Sequence, residues 1–184
     1  MLEEIIMAGF GGQGVLSMGQ TLSYAAVIEG KEISWMPSYG PEMRGGTANC
    51  ITILSDTPIS SPIISKFDAA IILNQPSLDK FEARVKPGGF LLYESTNILN
   101  PPTRTDIDII GIPAADKANE LNNTKVLNMV MLGAYLERRK TVKLDSIIEA
   151  LKGVLPERYH HLLPLNRKAL EAGAELVKAN CEAV

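Results

Sequence analysis

The sequence predicts an α/β fold, a doubly wound, mostly parallel sheet followed by a helical C-terminal third. Three observations point there. Short apolar runs alternate with helix-like stretches through the first two thirds of the chain, the pattern of strands joined by helical crossovers. Ala69 to Leu73 is apolar without a break, as a strand covered on both faces would be. A glycine turn, Gly9-Phe10-Gly11-Gly12-Gln13-Gly14, separates an apolar run (Ile5 to Ala8) from a helix-like stretch that starts at Val15. That order of strand, glycine turn and helix makes the fold Rossmann-like.

The elements follow in order. Val15 to about Ile28 carries no charge and reads as a buried helix ending near Gly30. Lys31 to Met36 is the second strand. Pro37 to Gly46 (P-S-Y-G-P-E-M-R-G-G) is rich in Pro and Gly and reads as a loop. Thr47 to Leu54 alternates as a strand does. Ala69 to Leu73 precedes Asn74-Gln75-Pro76, a helix start that runs to about Val85. Pro87-Gly88-Gly89 leads into the strand Phe90 to Tyr93. Asp108 to Ile112 is a further strand, and from Pro113 onward the pattern is helical.

At 184 residues the chain can bury a sizeable core, and residues 1–184 read as one domain. A formal charge of −3 without a Lys/Arg run excludes the electrostatic footprint of a nucleic-acid binder. Polar residues or Pro interrupt every uncharged stretch before it could span a bilayer, so no membrane association is expected. Glu3 and Glu4 stand where a signal peptide would be basic. Cys50 and Cys181 lie far apart, with no C-x-x-C pair; they fit a reducing, cytoplasmic setting and cannot alone hold an iron–sulfur cluster or a structural zinc.

The glycine turn is the leading candidate site. Gly9, Gly11 and Gly14 have the G-x-G-x-x-G spacing, Gly12 adds a fourth glycine, and Gln13 offers a side-chain amide near the helix start. A helix N-terminus presents unpaired N–H groups and partial positive charge, and glycines let a pyrophosphate approach the backbone. A dinucleotide site also needs an acid about 20 residues on, at the end of the second strand. That region reads Ser34-Trp35-Met36-Pro37-Ser38-Tyr39, so binding of NAD loses support. The second candidate is the following loop, where Ser38, Tyr39, Arg44, Gly45 and Gly46 cluster. The Arg44 guanidinium can grip a phosphate or a carboxylate in two bonds; its bland use is a pair with Glu42 or a helix cap.

Other residues read as structure. His160 and His161 are adjacent, which suits no shared metal on a helix, and they fall near the start of the last helix. Asn128 sits in the largely apolar run Val126 to Leu136, as a satisfied buried amide or an interface contact. Met129 and Met131 fill the core. Arg138, Arg139 and Lys140 suit a helix C-terminus.

Taken together, G-F-G-G-Q-G-V and P-S-Y-G-P-E-M-R-G-G-T-A resemble the gamma subunit, or gamma domain, of the 2-oxoacid:ferredoxin oxidoreductases. The run Asn128 to Ala134 is similar to that family's N-M-x-x-L-G-A helix, and Asn166, Ala169 and Gly173 to its closing N-x-x-A-x-x-x-G stretch. The two loops lean toward the 2-oxoglutarate or branched-chain type over the pyruvate type.

The resemblance implies a subunit of an enzyme that cleaves a 2-oxoacid, passes electrons to ferredoxin and makes an acyl-CoA. Thiamine pyrophosphate, magnesium and iron–sulfur clusters are then expected on alpha, beta and ferredoxin-like delta partners. This chain has no Gly-Asp-Gly segment for the first two and would carry no catalytic residue of its own. No cofactor is expected to be held firmly here. Coenzyme A at the glycine loop, with Arg44 on its third phosphate, and docking of both loops on the partner subunits are the two open uses. The competing readings are a self-contained nucleotide-binding oxidoreductase using NADP or flavin, and the corresponding subunit of an indolepyruvate oxidoreductase.

Overall fold

The computed structural model describes residues 1–39 and 46–182, with side chains over 1–38 and 46–180. Six strands form one sheet: β1 (Leu2–Phe10), β2 (Glu32–Tyr39), β3 (Thr47–Ser55), β4 (Phe67–Ile72), β5 (Val85–Glu94) and β6 (Asp108–Ile112). Their order is β2-β3-β1-β4-β5-β6. The pairs β1–β4, β4–β5 and β5–β6 are parallel, whereas β3 runs antiparallel to both β1 and β2.

The sheet is therefore mostly parallel, as the sequence predicts, with one reversed strand inserted beside β1. The expected loop also starts later. β2 continues through Pro37 and Ser38 to Tyr39, pairing Pro37 with Cys50 and Ser38 with Asn49. Among the described residues β2 is an edge strand that pairs with β3, and an edge tolerates a proline that cannot donate to a ladder.

The strand periodicity sorts the core into two layers. Ile5, Met7, Ala69, Ile71, Phe90 and Leu92 face one way, against α1 (Val15–Ile28), α3 (Ala114–Glu120), α4 (Leu127–Arg139), α5 (Leu144–Val154) and α6 (Leu163–Glu182). Ile6, Ala8, Ala70, Ile72 and Leu91 face the other way, against Leu78 and Phe81 of α2 (Gln75–Phe81), with Ile98 added from the connection before β6. Both faces of β4 are covered, which accounts for its unbroken apolar run. The winding is uneven: among the described residues five α-helices lie on one face and a single short one on the other.

α4 is buried from Asn128 through Leu136 because it is sandwiched between the sheet and α6. A methyl group added at Gly133 would overlap the Leu170 carbonyl, and one at Gly173 would overlap the Val130 carbonyl. The two segments that carry the N-M-x-x-L-G-A and N-x-x-A-x-x-x-G resemblance are thus the two sides of one close helix crossing.

At the amino end of the sheet, Glu3 is 4% exposed and accepts from Arg139 Nε at 2.8 Å and Nη2 at 2.7 Å. Tyr135 Oη donates to the same carboxylate at 3.3 Å; burial first, and then the Glu3 charge, push its phenol well above the ordinary range. Arg138 pairs with Asp108 at 2.6 Å. The basic cluster at the end of α4 therefore has specific acidic partners on β1 and β6 beyond any favourable helix-end charge.

Candidate functional site

The glycine turn lies at the carboxyl end of β1. Gly9 pairs with Ala48 and Phe10 with Thr47, so the start of β3 stands directly beside it. The Phe10 carbonyl accepts from Gln13 N at 3.2 Å, closing a turn over Gly11 and Gly12. Gly12 has φ 98° and Gly14 has φ 75°, left-handed values that glycine adopts without cost. Gly14 is the N-cap of α1, and no side chain caps the helix there.

Two side chains, Gln13 and Asn128, fix this loop from beneath. Gln13 Oε1 accepts from Phe10 N at 2.6 Å, and Gln13 Nε2 donates to the Leu73 carbonyl at 3.3 Å, at the end of β4. The Gln13 amide thus braces β1 against β4, where the sequence had it free to donate near the helix start. Asn128 Nδ2 donates to the Gly14 carbonyl at 3.2 Å.

A cavity of about 360 Å³ opens over the turn. Phe10, Val15, Leu16 and Ala48 supply apolar walls, and Gly11, Gly12, Gly14, Ser17, Gly46 and Thr47 the remainder. No acidic residue occupies the first turn of α1. Among the described residues, the N–H groups of Val15, Leu16 and Ser17 find no acceptor, as expected at a helix start. Among the described residues the site is therefore an uncharged, partly apolar recess with backbone donors at one end. Such a recess can accept an anion or a neighbouring chain's carbonyl groups.

Of the residues singled out by sequence, Gly9, Gly11, Gly12, Gln13 and Gly14 form the turn itself. Gly46 joins them, its carbonyl accepting from Gly11 N at 2.8 Å, so the two candidate loops do meet. Ser38 is exposed on β2, where Asn49 of β3 stands between it and β1. The Tyr39 backbone pairs with Ala48. Arg44 and Gly45 lie outside the described residues. Sequence reasoning left Asn128 without a partner; no local signal points from residue 128 to residue 14.

Beneath α1 the Cys50 thiol donates to the Val15 carbonyl at 3.6 Å, and burial pushes it up to about 12. Trp35 Nε1 and Thr52 Oγ1 converge with it on Gly19, and among the described residues neither has a hydrogen-bond partner of good geometry. The histidines are occupied locally: His160 Nε2 lies 3.0 Å from the Lys152 and Leu155 carbonyls, and His161 Nδ1 2.8 Å from that of Arg158. Among the described residues no group of three or more His, Cys, Asp or Glu is placed to hold a metal ion, and no helix is long and apolar enough to cross a membrane.

The strand order separates this site from that of a dinucleotide-dependent dehydrogenase. There the strand after the first helix lies parallel beside β1 and offers its acid to the ribose. Here β3 fills that place and β2 is pushed to the edge. The fold and site define an α/β domain whose glycine turn faces an antiparallel neighbour, a class apart from the NAD-binding one.

Comparison with known proteins gives the family. A family model described as pyruvate ferredoxin/flavodoxin oxidoreductase matches residues 4–176, and the chain belongs to that family. The ketoisovalerate oxidoreductase subunit VorA of Methanothermobacter thermautotrophicus is 41% identical over 180 residues, covering 97% of this chain and 37% of that protein. The chain thus spans little more than a third of the length of this relative.

The gamma subunit of a keto/oxoacid ferredoxin oxidoreductase from Geobacter sulfurreducens superposes with a TM-score of 0.81 at 31% identity, covering 96% of this chain and 99% of that one. The 2-oxoglutarate:ferredoxin oxidoreductase of Magnetococcus marinus, solved with 2-oxoglutarate, coenzyme A and succinyl-CoA bound, gives a TM-score of 0.87. At 24% identity, over 97% of this chain and 31% of that one, it shares the fold.

Proposed function

We propose that this chain acts as the gamma subunit of a 2-oxoacid:ferredoxin oxidoreductase, as one domain, in the cytoplasm. It contributes assembly and a contact with coenzyme A, while alpha, beta and a ferredoxin-like delta subunit supply thiamine pyrophosphate, magnesium and the iron–sulfur clusters. The complex oxidatively decarboxylates a 2-oxoacid of the 2-oxoglutarate or branched-chain class to the acyl-CoA and reduces ferredoxin.

One observation carries the coenzyme A part: the recess over the glycine turn, whose described lining is uncharged, with N–H groups at the start of α1 that find no acceptor among the described residues and no acid in that helix's first turn. A pyrophosphate can take those donors while the pantetheine arm lies along Phe10 and Leu16. The assembly part draws on α1, where Tyr24, Val27 and Ile28 are each about half exposed on an uncharged helix.

The experiment is co-expression with the alpha and beta chains, followed by assay with 3-methyl-2-oxobutanoate and 2-oxoglutarate. The expected result is co-purification, coenzyme A-dependent turnover by the complex, and none by the isolated chain. A stable lone chain with redox turnover of its own would sink the proposal. Saturable NADPH or flavin binding by that chain would favour the nucleotide-binding oxidoreductase instead.

A further inference from the structure

We infer that Asn128 is a positioning residue for coenzyme A, acting through Gly14 without touching the ligand. The inference rests on the reading that the glycine turn meets coenzyme A in the assembled enzyme. Its physical content is the orientation of one peptide plane. The Gly14 carbonyl accepts twice, from Met18 N at 2.9 Å and from Asn128 Nδ2 at 3.2 Å. Because the peptide unit is planar and trans, fixing that carbonyl also fixes the Val15 N–H, which points the opposite way. Val15 N–H is the first of the donors at the helix start that find no acceptor among the described residues, and Val15 lines the cavity.

Gly14, at φ 75°, is the least restrained residue at this junction, since glycine populates several wells that other residues avoid. The Asn128 amide occupies the space beside it: a Cβ at Gly14 would lie 2.5 Å from Nδ2. Asn128 is 7% exposed and stands near the start of α4, which is itself locked to α6 where Gly133 meets Leu170 and Val130 meets Gly173. Gln13 holds the other end of the turn to β4. The donors are thus set before ligand arrives, which lowers the ordering cost of binding. Without Asn128 the Gly14–Val15 peptide is held by the Met18 bond alone, and part of that cost returns as weaker binding.

The test is steady-state kinetics of the complete complex at saturating 2-oxoacid with coenzyme A varied. Asn128→Ala removes the donor, and Asn128→Asp keeps the shape while presenting only acceptors. Both are expected to raise KM for coenzyme A about five- to tenfold, with kcat held within about twofold. Met131→Ala, a core truncation in the same helix, is expected to lower thermal stability with no change in that KM. Ser17→Glu, which places a carboxylate in the first turn of α1, separates the two levels of the argument.

If Ser17→Glu raises KM for coenzyme A and the Asn128 variants do not, the positioning role is overturned and the coenzyme A reading stands. A Ser17→Glu enzyme with unchanged KM overturns that reading and the role together. A Met131→Ala enzyme with the same rise in KM as Asn128→Ala assigns the effect to general loosening of α4, and also overturns it.

Discussion

The Asn128 amide and the Gly14 carbonyl, 114 residues apart in the chain, meet at 3.2 Å beneath the glycine turn. The contact joins the first crossover helix to α4, the helix that packs most extensively on α6. It leaves no room for a methyl group at Gly14, a residue whose left-handed φ already favours glycine.

Gly14→Ala should therefore be costly. A left-handed alanine costs about 1–2 kcal/mol, and overlap with the Asn128 amide adds about 1–3 kcal/mol. The expected loss is about 2–5 kcal/mol, read from the urea midpoint of the isolated chain. In an Asn128→Ala background most of the overlap disappears, only the residue-128 Cβ staying 3.1 Å away, so the double-mutant cycle should show a coupling of about 1–2 kcal/mol. A strictly additive cycle would mean that the two residues do not interact.

The α4–α6 crossing makes a prediction of opposite sign for glycines in different surroundings. Gly133→Ala or Gly173→Ala would drive a methyl into a backbone carbonyl of the facing helix, where neither partner can yield. Each should cost upwards of about 3 kcal/mol. Gly153, in the last turn of α5, has open space around its Cα. There alanine should stabilise by about 0.5–1 kcal/mol through helix propensity and a less flexible unfolded chain. Thermal unfolding of the three single variants checks both signs.

Much of this architecture is legible in the sequence because each element carries its own period. The unbroken run at Ala69 to Leu73 marks β4, and the uncharged stretch after Gly14 marks α1. The glycine spacing locates the turn. What the sequence does not carry is adjacency. Thr47 to Ser55 reads as a strand, but nothing in its alternation says that it runs antiparallel between β1 and β2. Pro37 looks like a loop residue, and only an edge position lets it stay in a strand. Gln13 and Asn128 act on partners 60 and 114 residues away, beyond the reach of any local pattern.

Cys50 gives the pH prediction. Its thiol titrates near 9.0 when exposed and is pushed to about 12 in the fold, by burial above all, with Trp35 and Thr52 pulling the other way. A raised folded-state value means that the stabilisation is complete below the unfolded value and is lost as pH rises toward the folded one. Wild-type stability should therefore fall between pH 9.0 and about 12 more steeply than that of Cys50→Ala. The difference in slope should be about 1.4 kcal/mol per pH unit. The variant is less stable at neutral pH because it leaves a small void, so the slope is the diagnostic quantity. Parallel slopes in guanidinium titrations across that window would refute the assignment.

Arg44 distinguishes the two uses of the paired loops. It precedes Gly46 by two residues, and the Gly46 carbonyl is already bonded to Gly11 N at 2.8 Å, so the second loop ends against the first. A guanidinium on a phosphate makes charge-assisted, paired bonds whose loss costs about 1.5–3 kcal/mol. If Arg44 grips the third phosphate of coenzyme A, Arg44→Ala should raise its KM at least about tenfold in an intact complex. Dephospho-coenzyme A, which lacks that phosphate, should then be used equally well by wild type and variant. Arg44→Lys should recover part of the loss, since it restores the charge without the planar fork. Docking predicts a different pattern: the complex dissociates on size exclusion, and whatever assembles keeps its ordinary response to coenzyme A. Co-purification yield and the ratio of the two KM values, measured on the same preparations, decide between a ligand contact and a subunit contact at this loop.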